Sequence, residues 1–337
     1  MARQLSLFEG DARAGTPHRA ITLGAAPVAQ EVRDLARQLP PGVRLGTSSW
    51  HFPGWKGLVW AETAAPGDLS RYGLAAYARH PLFRTVCVDR ALYAPLSARQ
   101  YATYARQVPD DFRFVIKAPG LLTNPWLQGE NGARGKPNGQ FLDAAYAIEQ
   151  FIEPVRAGLE ATAGPLLFQF PPLGRTLTRA PERFIAQLQE FLARLPKGPL
   201  YAVEMRDDRI INRRFFASLK ETGVRYCLGV HPRMPPVAAQ AAAMSGFGPG
   251  PLIIRWNLHT AYSYEDARMR FTPFDQLVDE DSATRESIAR LCLATLAAGQ
   301  ECTIIANNKA EGSAPLTLIR LAEAIVTAAR HRAQADE

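Results

Sequence analysis

Lysine is scarce in this chain. Six of its 39 basic residues are lysine, the other 33 are arginine, and the net charge over 337 residues is +7. The skew reads as a compositional preference, so the charge alone is a weak argument for a nucleic-acid partner. Arginine still suits phosphate, because its planar fork donates two parallel hydrogen bonds. Cysteine is rarer: Cys87, Cys227, Cys292 and Cys302 are widely spaced and form no CxxC pair. A zinc ribbon and a thioredoxin-type site are thereby excluded, and the thiols read as buried and reduced in a cytoplasmic protein. No run of about 18 consecutive apolar residues occurs, so no membrane span or membrane partner is expected. A basic-then-apolar signal peptide is also absent from the start. The chain lacks GxGxxG after its first strand, a GxSxG elbow, and HxH, HxxH or HExxH spacing. Dinucleotide binding, serine-hydrolase chemistry and a dedicated metal site therefore have no motif behind them. No cofactor is indicated, no metal ligand is assigned, and a divalent metal is the weaker reading.

Hydrophobic residues at 47% and charged residues at 21% fit a globular chain with a large core. Residues 1–40 read as a flexible leader and 332–337 as a frayed tail. Between them, over 41–331, short apolar runs alternate with longer helical patterns. The strand candidates are Val43–Ser48, Thr85–Asp89, Phe112–Lys117, Pro165–Phe170, Leu200–Met205, Val224–Gly229, Leu252–Trp256 and Thr303–Asn307. Helical patterns cover about 69–79, 97–107, 140–159, 179–194, 212–221, 282–299 and 314–331. Ser97 and Ser313 are placed to cap the second and the last of these. Eight strands alternating with helices predict one α/β domain, a (β/α)8 TIM barrel. Long connections at 119–139 and 231–251 would then lie on the face that carries function in barrels.

The carboxyl ends of the strands hold the candidate site. Glu204, Lys117 and Asp89 are the catalytic candidates. Ser48, Trp50, His51, Tyr93, Gln169, Arg206, Arg255, Asn257, His259, Asn307 and Asn308 are the candidates for substrate contact. Strand alternation puts Glu204 and Arg206 on one face. The pair reads equally as a carboxylate held beside a substrate or as a buried structural ion pair. Lys117 is placed to pair with Glu204 or Asp89, or to hold an anion. Trp50, Trp55, Trp126 and Tyr262 offer stacking surfaces, or simply loop packing.

Several of these segments together resemble the YecE-like family, a domain of unknown function numbered seventy-two. Gly46-Thr47-Ser48-Ser49-Trp50 resembles its GTSGW, and Phe83–Asp89 with Tyr93 its FNTVEIN…FY. Phe112–Pro119 is similar to FRFxxKxP, Leu167–Pro172 to LFQLPP and Ala202–Arg206 to AVEFR. Asn307-Asn308 with Gly312 and Ala314 resembles the NN…GxA ending. The resemblance covers about residues 43–328 and implies a TIM barrel without implying a reaction. The chain departs from the pattern at Cys87 (glutamate in the family), Asp89 (asparagine), Asn124 and Asp207 (histidine). A further departure is Arg255-Trp256-Asn257-Leu258-His259, where the family has RxHG.

At the start of the chain, Gln4-Leu5-Ser6-Leu7-Phe8 resembles the bacterial sliding-clamp-binding motif, in which leucine and phenylalanine anchors enter an apolar cleft. Three functions follow as expectations. The first is a DNA-associated barrel recruited to replication or repair by its tail, with the clamp and DNA as partners, acting on a phosphodiester or damaged nucleotide. In it Lys117 and Arg206 would hold phosphate and Glu204 would act as base or orienter. The second is a small-molecule hydrolase, isomerase or lyase taking a phosphate- or sugar-like substrate in the barrel mouth. The third is a non-catalytic scaffold.

Overall fold

A computed structural model describes residues 23–129 and 134–335. Eight strands close a parallel barrel: β1 (Val43–Thr47), β2 (Phe83–Val88), β3 (Arg113–Lys117), β6 (Ala163–Gln169), β7 (Tyr201–Glu204), β8 (Arg225–Val230), β9 (Leu252–Trp256) and β10 (Cys302–Ala306). Each pairs with its neighbours in the barrel, and β1 meets β10 through the register Val43↔Cys302 to Thr47↔Ala306. β4 (Trp126–Gln128) and β5 (Arg134–Pro137) form a separate antiparallel hairpin after β3. All eight predicted strands are present, and helices follow them on the outside, as expected for a TIM barrel.

Alternation along the strands explains the layering. Outward residues such as Val86, Phe168 and Ile254 join the large core beneath the helices. Phe168 meets Phe151 and Phe191 edge-on, with ring centres 5.9 and 5.2 Å apart. Inward residues Cys87, Val115, Leu167, Ala202, Cys227, Ile253 and Ile305 form a second apolar cluster that plugs the lumen. β1 adds no side chain at that level, because its inward residue is Gly46. A Cβ there would lie 1.9 Å from the Thr85 carbonyl oxygen. Gly46→Ala is therefore expected to destabilise the barrel by about 1–3 kcal/mol, read as a lower urea midpoint. An unchanged midpoint would mean that β1 and β2 part freely.

Caps fix several helix starts. Ser97 accepts from the Gln100 amide, and Gln100 returns the bond, a full capping box before Ala98–Ala105. Ser313 does not cap the last helix: its hydroxyl has no partner, and Asn308 Oδ1 accepts from the Ala314 amide at 2.9 Å. Two boundaries read from the sequence need correction. The segment assigned to the leader carries a helix at Gln30–Gln38, with Val32, Leu35, Ala36 and Leu39 half-buried against the core. These residues recur at the three- and four-residue helical spacing, so the signal was present in the sequence. At the other end, the final helix continues through Ala335 rather than fraying after 331. Within the long connections, Val237–Ala243 is also helical.

Candidate functional site

One step above the apolar plug, the inward positions become polar. The period of two carries Cys87 to Asp89, Val115 to Lys117, Leu167 to Gln169, Ala202 to Glu204, Ile253 to Arg255 and Ile305 to Asn307. β8 contributes Gly229, where an added Cβ would stand 3.4 Å from Glu204 Oε1. Glu204 packs against this glycine at ordinary contact distance and meets Arg255 from the next strand.

Glu204 is fully buried and is the centre of the layer. Arg255 Nη1 reaches its Oε2 at 2.6 Å, Arg206 Nη2 its Oε1 at 2.7 Å, and Asn257 Nδ2 donates to Oε1 at 3.1 Å. Arg255 Nη1 also donates to Gln169 Oε1 at 3.1 Å, across the lumen. Burial alone would raise the Glu204 pKa, but Arg206 and Arg255 outweigh it and hold the carboxyl at about 2. A carboxylate held that low is a poor proton acceptor at neutral pH. Of the two roles expected for Glu204, base or orienter, the geometry fits the orienter. Arg255 is pushed upward in turn, Glu204 overcoming the penalty of burial.

On the opposite side Lys117 Nζ pairs with Asp89 Oδ1 at 2.9 Å, and the Cys87 thiol donates to the same oxygen at 3.2 Å. Asp89 keeps about a third of its side chain open, 33%, whereas Lys117 keeps 7%. Burial opposes the Asp89 charge, but Lys117 and Arg255 prevail and lower its pKa. Burial pushes the Cys87 thiol well up, so it stays protonated. Asn307 Nδ2 donates to Ser48 Oγ at 2.7 Å between β10 and β1. His51 sits half-buried with Nδ1 2.5 Å from Ser49 Oγ, and burial lowers its pKa. Tyr93 is 56% exposed on the rim, electrostatically coupled to Asp89 and Tyr264. Beyond the layer lies a cavity of about 450 Å³ between the loops after β7 and β8, lined by Arg206, Asp207, Asp208, Arg209, Arg233 and Met234 among others. Arg206 therefore faces Glu204 on one side and open space on the other. His231, beside it, is lowered to about 4 by burial and then by Arg206, so its ring is neutral.

Other sequence candidates lie elsewhere. Trp50 is buried outside the lumen, its indole donating to the Ser70 carbonyl and its ring edge-on to Tyr104. Trp55 is sealed in the core and donates to Asn308 Oδ1 at 3.0 Å. Asn308 is buried, its Oδ1 bonded to Trp55 and to the last helix. His259 lies with its ring tilted against Tyr262 and 3.9 Å from Asp279. Tyr262 donates to that same Asp279 at 2.5 Å. Lys309, not among the sequence candidates, stands at the mouth beside Tyr264. Among the described residues no three His, Cys, Asp or Glu side chains gather as a metal cluster. No helix among them is long and apolar enough to cross a membrane.

The sequence profile described as "Protein of unknown function DUF72" matches residues 44–337. The chain belongs to the DUF72 family. A DUF72 family protein from Enterococcus faecalis is similar in structure, with a TM-score of 0.60 at 20% identity, covering 84% of this chain and 95% of that one. A DUF72 family protein from Thermotoga maritima aligns with a TM-score of 0.53 at 21% identity, over 83% of this chain and 98% of that one. At such identities the likeness is one of fold. No curated protein matches the sequence. The DUF72 motifs converge in space: the segments carrying Ser48, Asp89, Lys117, Gln169, Glu204 and Asn307 all end at the one polar layer. Against the motif the chain resembles, Cys87 in the plug stands where the pattern has glutamate, while Asp89 in the polar layer stands where it has asparagine.

Proposed function

We propose that the protein takes an anionic small molecule, bearing a phosphate or carboxylate group, into the barrel mouth and acts on it as a hydrolase, isomerase or lyase. The charge balance of the polar layer carries this reading. Lys117, Arg206 and Arg255 face only Asp89 and Glu204, and all but Asp89 are largely withdrawn from water. A buried surplus cation is unfavourable until an anion meets it. Arg206 is the cation with the open side, bordering the cavity of about 450 Å³, a volume suited to a small organic ligand. In this reading Arg206 and Lys117 bind the anionic group, while Glu204 fixes the planes of Arg206 and Arg255 so that no reorganisation is needed when charge develops. Titration calorimetry with inorganic phosphate and with succinate tests it. Saturable binding of either at low salt, weakening as salt rises, is the expected result. No saturable binding of either anion discards the reading.

The pentapeptide Gln4-Leu5-Ser6-Leu7-Phe8 favours a second reading, in which the anion is a phosphodiester or damaged nucleotide and the tail recruits the protein to the sliding clamp. Those residues lie outside the described ones. Deleting residues 1–10 is expected to abolish clamp binding and leave a salt-dependent DNA affinity intact. An intact chain that binds neither clamp nor DNA at low salt removes this reading and leaves the first.

A further inference from the structure

We propose that Lys309 is a nucleophilic amine that captures the carbonyl carbon of the ligand as an imine, so that the substrate class is an aldehyde or ketone bearing an anionic group. The anionic part rests on the function proposed above; the imine does not.

The lysine follows β10 directly, on the catalytic side of the barrel, and is 6% exposed. Every cation of the polar layer has a carboxylate, Lys117 on Asp89 and both arginines on Glu204. Lys309 has no hydrogen-bond acceptor and no carboxylate within reach among the described residues. Its Nζ lies instead over aromatic faces, 4.4 Å from the ring centre of Tyr264 and 5.5 Å from that of Phe274. Phe274 is held there by a left-handed backbone, φ 73°, which a bulky residue seldom adopts. The ring faces attract an ammonium, but they also withdraw the nitrogen from water, and burial beside a second cation is how a lysine amine is made available at neutral pH. Burial first, and then Arg268, lower the ammonium to about 8, against the smaller opposing pull of Asp89 and Glu265. The free-amine fraction of Lys309 at neutral pH is accordingly larger than that of an ordinary lysine.

The step balances without a further reactant. The ammonium releases one proton, and its nitrogen lone pair adds to the carbonyl carbon. The C=O π pair moves to oxygen, which takes that proton up. The resulting hydroxyl leaves with one N–H proton as water while the nitrogen lone pair closes the C=N bond, so that ammonium plus carbonyl become iminium plus water. The product is an electron sink within electrostatic range of Asp89.

Reductive trapping on the full chain tests the proposal. The probe is pyridoxal 5′-phosphate at limiting concentration, reduced with borohydride and mapped by peptide mass spectrometry. Six lysines in the whole sequence make the map short. Lys309 is expected to label at least 10-fold faster than Lys56, Lys197 or Lys220, and inorganic phosphate is expected to slow it. Lys309→Arg, which keeps the charge, is expected to lose this adduct and retain the melting temperature. Labelling that follows exposure, with Lys309 last, overturns the imine even if calorimetry shows phosphate binding. Fast labelling of Lys309 by phosphate-free pyridoxal, unaffected by phosphate, keeps the imine and removes the anionic group.

Discussion

Glu204→Gln is expected to lower the stability of the folded chain by about 3–5 kcal/mol, measured as a loss in urea unfolding free energy. Glutamine fills nearly the same space, so the loss is electrostatic. It leaves Arg206 and Arg255 facing each other in a buried layer with no negative charge between them. The pH dependence gives an independent check. The carboxyl sits at about 2 in the folded chain, against an ordinary 4.5. A depressed folded pKa means that the stabilisation is fully present above the unfolded value and is lost as pH falls from about 4.5 towards 2. The parent chain should therefore lose stability steeply over that window, and Glu204→Gln should lose less of it. A variant within about 0.5 kcal/mol of the parent would place Glu204 outside any energetically coupled ion-pair network. Replacing all three charged groups together with apolar residues is a different experiment, because removing a buried network whole can be close to neutral.

Arg206→Ala is expected to weaken phosphate binding by about 10–100-fold, the range for one charge-assisted hydrogen bond to a charged ligand. It is the cleaner site for this test, because Glu204 keeps Arg255 and Asn257 and the layer stays paired. The slope of affinity against salt should also flatten. Lys117→Ala should act in the same direction, since the Asp89 it abandons is a third open to water. If Arg206→Ala binds phosphate like the parent, the anion sits elsewhere and the cavity beside Arg206 is not its pocket. Glu204→Gln should bind phosphate at least as tightly as the parent, because it adds to the positive surplus. A catalytic base in that position would instead show its loss in turnover and not in binding.

The barrel was legible because each strand is a short apolar run bounded by turns, and the eight runs keep their order and spacing. The face shared by Glu204 and Arg206 followed from alternation alone. What alternation cannot reach is the partner from another strand: Arg255, 51 positions on, closes on Glu204 across the strand that carries Gly229. Trp50 shows where counting by twos stops. β1 ends at Thr47, so the chain has turned before Trp50, which is packed under the helices and not in the lumen. Asn307 and Asn308 are adjacent at the end of the eighth strand, yet they bond to different partners, one to Ser48 and one to Trp55, which adjacency in sequence does not show. Lys309 was passed over for the opposite reason. Nothing in its own neighbourhood marks it, and its cradle comes from Tyr264 and Phe274, more than thirty residues earlier.

The plug of seven apolar side chains beneath the polar layer governs traffic. It blocks the axis of the barrel, so a molecule admitted at the mouth has no rear exit, and arrival and departure use the same opening. In the proposed reading, turnover would be gated at one door: a product held on Arg206 or Lys117 would exclude the next substrate, and a single tight anion lodged there would stop entry and release together.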